Sequence, residues 1–486
     1  MQGITMRNIK SLFANKYFRI TISVLMWAIV LLPMIWSVLR VGIGQDSGYY
    51  LCMAERIADG YIPYRDLRLL YPPLWFYIEA FYKFVFHIPN GVYWPYLILL
   101  YAFQISNAYL LYRLVSLTNV KKHYAILAAW CYLLMSHWLD GNDVLIEIPS
   151  ITFCLLSSVL IFKYKERNYW HFLWIGSISA CSFLVKQYGL GTIVLCLYIM
   201  IFLSKCNKQQ IFTYILGYIL PIAICLLIWG NLFLNNVILN GYGTQTAIEA
   251  GLELSIASKL SSIFGNLNYF CYMVCPIVYV GWIYVVKAYK QNRLPYLIFI
   301  YCGILGFSLI FYFTGWQLHY YQYLLPFSIL LMVELMHLTE KSKWKYFIFI
   351  MVGWIIMVSF YKTYNNRVYK QYIKGIQKER QEQLSQDIMQ YVRTDETIYI
   401  VHGSLTPIYF LTNTLPPNLA TIGYDCAPLT LNENRAMQQI QSADWVLRYS
   451  KDYPYECFFT DSLKLYVEKY PAICLQDSAI LLHRMH

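Results

Sequence analysis

Residues 20–41 read ITISVLMWAIVLLPMIWSVLRV, and residues 44–81 continue as GQDSGYYLCMAERIADGYIPYRDLRLLYPPLWFYIEAF. The first stretch has the roughly 20 apolar residues that a helix needs to cross a bilayer. Directly behind it the second gathers Asp46, Glu55, Arg56, Asp59, Arg65, Asp66 and Arg68 in one loop. No other loop of the chain is as dense in charge. An apolar run followed by such a loop makes the bilayer the solvent and places polar chemistry at its surface.

The rest of the chain repeats the apolar signal. Of its 486 residues 58% are hydrophobic and only 13% charged, and the mean hydropathy is +0.44, which excludes an ordinary soluble globule. Apolar stretches fall at about 20–41, 93–112, 124–140, 144–162, 170–186, 188–204, 211–234, 267–286, 295–313, 322–338 and 346–361, about eleven spans of the length expected. Beyond Tyr361 polarity rises, so the expected fold class is an α-helical polytopic membrane protein, residues 1–361, with a small α/β soluble domain over 362–486. Strands are predicted at 397–401, 445–449 and 479–483. Tyr409, Asn413 and the Pro416–Pro417 turn read mainly as packing residues of that domain.

The formal net charge of +12 does not form a nucleic-acid face. Its Lys and Arg residues cluster instead in alternate loops: Arg7/Lys10/Lys16/Arg19, Arg113/Lys121/Lys122, Lys163/Lys165/Arg167, Lys205/Lys208, Lys287/Lys290/Arg293 and Lys341/Lys343/Lys345. By the positive-inside rule these face the cytoplasm. The first loop, the short loops at 140–144 and 314–321, the loop at 235–266 and the C-terminal domain are then extracytoplasmic. Keeping that alternation requires residues 72–89, with Glu79 and Lys83, to be re-entrant or interfacial. Met1–Arg19 lacks a small-residue cleavage site and reads as a retained signal anchor. The thirteen Cys show no metal-ligand spacing; Cys426, Cys457 and Cys474 alone could meet an oxidising compartment. No phosphate-binding glycine loop is present.

Candidate chemistry falls on the outer side. Asp46 opens the first loop, where Tyr50, Leu51, Ala54, Ile57 and Ala58 predict one apolar face of a helix lying on the bilayer. Asp46 reads both as its N-cap and as a general base for an attacking hydroxyl. A second acidic group, Asp140, Asp143 and Glu147, joins two spans, with Glu147 about one turn inside the second. A third cluster holds Gln317, His319, Tyr320, Tyr321, Gln322 and Tyr323: His319 with Gln317 and Gln322 is a donor-rich set suited to phosphate or sugar hydroxyls, while Tyr321 and Tyr323 read mainly as interfacial belt aromatics. Lys186 ends a span on the same side; it suits phosphate, and snorkelling would place it there equally well. In the 235–266 loop Glu249 and Glu253 suggest a solvated amphipathic helix.

Taken in order, Asp46, Gly60–Asp66 (GYIPYRD), Tyr71–Leu74 (YPPL), Glu147–Ile148–Pro149, Leu184–Gln187 (LVKQ) and His319–Pro326 (HYYQYLLP) resemble the GT-C glycosyltransferases, the group that includes protein O-mannosyltransferases and the lipid A aminoarabinose transferase. The resemblance implies two membrane-surface helices in the first outer loop and a catalytic Asp at its start. It implies further a supporting acid in the next outer loop, Asp143 or Glu147, and an outer C-terminal domain. The donor would be a polyprenyl-phosphate sugar, and the acceptor an extracytoplasmic glycan, lipid or protein. Arg65, Arg68, Lys186, His319, Tyr320 and Gln322 are the candidates for the carrier phosphate and substrate. The expected setting is a bacterial inner membrane. No cofactor is required; a divalent metal is left open, because one or two carboxylates beside a phosphate would accept one. Protein mannosyltransferases resemble Asp-Glu at the first position, whereas Ser47 follows Asp46 here. Spans alone would also permit a flippase or transporter, and outer-face chemistry a polysaccharide polymerase or ligase. Polar groups gathered at one surface rather than at the midplane weigh against the transporter.

Overall fold

The computed structural model describes residues 16–40, 42–67, 69, 71–239, 256–312, 318–365, 377–393, 395–401, 405–417, 437–449, 465–475 and 479–483. Arg68, Glu249, Glu253, Gln317, Cys426 and Cys457 lie outside them.

The first apolar run is α1 (Lys16–Arg40), and the loop behind it carries α2 (Gln45–Ala58) and α3 (Leu74–Phe86). The bundle continues with α4 (Trp94–Ser116), α5 (Lys122–Trp138), α6 (Glu147–Tyr164), α7 (Trp170–Val185), α8 (Gln187–Leu203) and α9 (Lys208–Trp229). After these come α10 (Ala257–Val274), α11 (Ile277–Lys290), α12 (Leu294–Phe311), α13 (Leu325–Thr339) and α14 (Lys345–Asn365). Six of the described helices, α1, α4, α6, α9, α12 and α14, have the length and apolarity to cross a membrane alone, while α7, α8 and α13 are apolar but shorter. The expected span at 267–286 is not one straight helix. Its halves α10 and α11 meet at 98°, because Pro276 has no N–H to continue the ladder.

Helix α3 has 13 residues, about 20 Å of rise, too short for a hydrocarbon core of about 30 Å. It folds back against α2. Phe81, Phe84 and Phe86 lie on its exposed side, and Trp75, Phe76 and Glu79 are buried.

The basic loops assemble at the opposite end of the bundle from α2. Arg293 forks onto Glu334 and donates to Thr118 O (2.8 Å), Lys121 pairs with Glu340, and Gln210 donates to the carbonyls of Lys165 (2.9 Å) and Arg167 (3.0 Å). These contacts tie together loops that the charge pattern assigns to one side.

Toward the C-terminus, α15 (Gln377–Met389) leads into β1 (Ile398–Ile400), α16 (Pro407–Thr412), β2 (Trp445–Tyr449), β3 (Ala472–Cys474) and β4 (Ala479–His483). The strands form one sheet in the order β1-β2-β4-β3, with β1 and β2 parallel and the other pairs antiparallel. Three strands are the expected ones; β3 has its end residues Ala472 and Cys474 exposed and so shows no apolar run to read. One side of this unit, including Leu405, Ile408, Phe410 and Leu447, shares a continuous core with the helical bundle, while Val401, Ile440, Val446 and Val467 form a second small cluster.

That shared core corrects the reading of α2. A helix lying on a bilayer would expose one face, yet every residue from Ser47 to Ile57 is buried. The sheet unit covers the side that the apolar pattern leaves polar.

Candidate active site

The N-terminus of α2 is fixed by a residue from the next outer loop. Gly44 is the cap, with no side chain to offer, and Asp46 stands in the first turn rather than at the cap position. Asp143 supplies the missing acceptor: its carboxylate takes Ser47 Oγ, Tyr93 OH (2.8 Å) and the backbone N–H groups of Val144 (3.0 Å) and Gly44 (3.5 Å). A Cβ at position 44 would overlap that carboxylate, so this close approach needs glycine. Burial raises the Asp143 carboxyl above its ordinary value, while the donors around it pull the other way.

Asp46 points away from this anchor toward three segments distant in sequence. His319 Nε2 lies 3.9 Å from Asp46 Oδ2 and 3.7 Å from Glu147 Oε1. The Lys186 ammonium pairs with the same Glu147 oxygen. Glu147 is the first residue of α6, not a turn within it, and is fully buried. Its second oxygen has no hydrogen-bond partner among the described residues.

Lys186 occupies the break between α7 and α8, in extended backbone at φ −151°. The following turn closes on Lys186 O from Gly189 N–H at 2.8 Å, and a Cβ on Gly189 would collide with Ser182. Only 1% of the Lys186 side chain is exposed, which for a lysine requires a partner. Beyond Glu147, the rings of Tyr320, Tyr71 and Tyr188 surround the ammonium at 4.9, 5.2 and 5.5 Å; each such contact contributes about 0.5–2 kcal/mol. Below it, Ser150, Ser182 and Thr192 hydrogen-bond α6, α7 and α8 to one another.

The electrostatics separate the roles. Burial pushes the Asp46 carboxyl up to about 7; Lys186 opposes the shift, and Glu147 and Asp143 add to it. Its side chain is still 29% exposed, so a substrate can reach it. Burial pulls His319 down to about 4, with Glu147 resisting and Lys186 assisting. His319 is therefore neutral at physiological pH, and its ring can offer one N–H or one lone pair but no charge.

The other candidates from the sequence divide. Tyr320 belongs to the lysine cage. Gln322 faces the end of α5, donating to Ser136 O (2.8 Å) and Leu139 O (2.9 Å) and accepting from Ser136 Oγ (3.0 Å). Arg65 is 62% exposed and paired with Asp66, whose carboxyl that hydrogen bond holds down at about 2. Ser47, Tyr93, Tyr71 and Tyr188 were not singled out as site residues. A tyrosine two positions after a boundary lysine is a readable hint; the partner of Ser47, 96 positions away, is not.

Among the described residues no three His, Cys, Asp or Glu side chains form a metal-binding cluster. Asp46, Glu147 and Asp143 could supply oxygen ligands, but Lys186 already stands on Glu147, and four donors already occupy Asp143.

A helical bundle, a first loop folded back on it with an acid at its start, and a C-terminal sheet unit packed above that loop make up the architecture. Solved structures match it. ArnT from Cupriavidus metallidurans, bound to undecaprenyl phosphate, has a TM-score of 0.59 at 10% identity, covering 95% of this chain and 97% of that one. Its apo state gives 0.55 at 12%, over 96% and 98%. The oligosaccharyltransferase AglB from Archaeoglobus fulgidus, in complex with an inhibitory peptide and a dolichol-phosphate, gives 0.51 at 11%, over 94% of this chain and 74% of that one. No family profile and no curated protein matches the sequence. At such identities the likeness defines the fold.

Proposed function

We propose that this chain is a membrane glycosyltransferase moving a sugar from a polyprenyl-phosphate donor to an extracytoplasmic cell-envelope glycan, lipid or protein, with Asp46 as general base. The observation that carries the reading is the convergence of Asp46 and caged Lys186 on His319 and Glu147 at one end of the bundle. A base with its carboxyl near 7 and a buried cation in the same cluster are the two groups that displacement at an anomeric carbon needs. Asp46 takes the acceptor hydroxyl proton as that oxygen attacks. The bond from the anomeric carbon to the phosphate oxygen breaks, and the phosphate departs with the electron pair. Lys186 balances its charge, and His319 donates an N–H.

Two further observations support a lipid carrier. An apolar cavity of about 310 Å³ begins beside the lysine, lined by Gln187, Tyr188, Leu190, Val194, Phe307 and Ile310, and it suits an isoprenoid chain better than a sugar. Structures of the same fold hold undecaprenyl phosphate and dolichol-phosphate. The basic loops at the far end orient the site outward across a bacterial plasma membrane. In this mechanism the cationic charge comes from the protein, with no metal required.

The test is a reconstituted assay with a panel of labelled polyprenyl-phosphate sugars, comparing wild type with Asp46→Asn. Transfer is expected to fall by at least about a hundredfold, the usual worth of a general base. Unchanged turnover would remove that role. Labelling of an Asp59→Cys variant from the outside checks the orientation.

A further inference from the structure

The sheet unit does more than cover the first loop. Helix α16 lies directly on α2, two residues from the base: a Cβ on Gly48 would sit 2.8 Å from Pro407 N and Cα and 3.0 Å from its Cγ, well inside the ordinary carbon contact of about 3.5–4.0 Å. At the other end of α2, Arg56 is 5% exposed and donates through Nη2 to Asn413 O (3.1 Å) and Thr414 O (3.2 Å). Those carbonyls close the C-terminus of α16, where Asn413 takes the left-handed conformation at φ 55°. Arg56 Nη1 reaches Asp59 at 3.3 Å, so the guanidinium is neutralised within its own loop.

On its far side α16 is bolted to the sheet. Tyr409 OH donates to Ile398 O (2.9 Å) and accepts from Ile400 N (3.1 Å). Phe410 packs edge-on against Tyr96 of α4, with ring centroids 6.1 Å apart. The lower side of the loop is held separately, by Lys83 of α3 pairing with buried Glu55 at 3.0 Å.

We infer that α16 is a brace for the catalytic helix: Gly48 and Arg56 seat α2 against it, so the sheet unit fixes where the Asp46 carboxylate stands and how dry it is. Arg56 is thus a positioning residue, reaching the chemistry only through α2. This rests on the glycosyltransferase reading above. A general base displaced by about 1 Å loses on the order of a hundredfold in rate. Seating also sustains the burial that raises the Asp46 carboxyl, since water admitted beside it would restore the ordinary carboxylate value.

Two substitutions disturb the seat from opposite directions: Arg56→Gln removes the tie, and Gly48→Ala forces α16 away. Both are made in the full chain in nanodiscs and compared with wild type by hydrogen exchange over residues 45–58 and by the pH dependence of kcat. Expected are faster exchange in α2, kcat lowered about ten- to a hundredfold with the donor KM little changed, and the acid limb of the profile moved to lower pH. A purely structural role would lower the amount of folded protein but leave kcat and the acid limb of the survivors in place. Exchange at the wild-type rate in both variants overturns the brace, as does loosened exchange with unchanged kcat and acid limb. Wild type inactive on every donor would instead sink the glycosyltransferase reading, while the exchange comparison would still decide whether α16 holds α2.

Discussion

Each end of the bundle contains a buried carboxylate paired with a cation, and the two pairs are built differently. At the end with the basic loops, Glu334 is fully buried and both of its oxygens accept from Arg293, whose remaining nitrogen donates to Thr118 O at 2.8 Å. At the other end Lys186 uses one oxygen of Glu147, the second has no hydrogen-bond partner among the described residues, and the neutral ring of His319 stands 3.7 Å off. The first pair is saturated, so it can only hold helices together. The second leaves a buried acceptor unsatisfied, which costs stability, and the member of its cluster that a ligand can reach is Asp46, 29% exposed.

The sharpest way to break the contrast is Lys186→Met. Transfer should fall by about 10²–10³, as when a preorganised charge partner of the transition state is removed. The protein should also lose stability, because Glu147 stays buried without its cation. Adding Glu147→Gln should restore the melting temperature and not the rate; recovery of rate would make the pair structural, like its counterpart. Arg293→Met should show the reverse behaviour, a stability loss of about 3–5 kcal/mol with specific activity per folded molecule unchanged. A large fall in specific activity there would erase the distinction between the ends.

Titration sharpens the same comparison. With the Asp46 carboxyl near 7, and the ionised form acting as base, kcat should rise through about pH 7 and fall about tenfold per unit on the acid side. Its contribution to stability has the opposite sign. Because the folded value is raised, between roughly pH 4 and 7 the folded chain binds more protons at this group than the unfolded one, and stability declines as pH rises through that window. Asp46→Asn removes this penalty, so its melting temperature should exceed that of wild type at pH 8 and approach it at pH 4; an equal difference at both values would contradict the assignment. The smallest effect is expected for Arg65→Ala. An exposed ion pair with the neighbouring residue is worth about 1 kcal/mol at most, and transfer should change by no more than about fivefold. A loss comparable to that of Lys186→Met would show that Arg65 moves onto the carrier.

The site was legible in part because membranes make ionisable residues conspicuous. Asp46, Asp143, Glu147, Lys186 and His319 stand at the ends of apolar runs, where a charge is kept only if partnered or used, and the structure brings them into one region. Gln322 carried the same signal and is turned instead to the end of α5, because an amide can satisfy an α-helix terminus as well as a sugar. Arg56 and Gly48 carried none: an arginine and a glycine in a charged loop look solvated until the segment that covers them is known.

Hydropathy and charge alternation alone determined that this chain is a helical membrane protein, where most of its helices run, and which end gathers its polar residues, because each span must satisfy its own backbone and meet lipid along its length. Only the tertiary structure decided which charges face one another, that α10 and α11 bend apart at Pro276, and that α2 lies under α16 rather than on a bilayer. Those outcomes depend on contacts such as Arg56 with Asn413, 357 positions apart in the chain, and no local pattern encodes a partner at that distance.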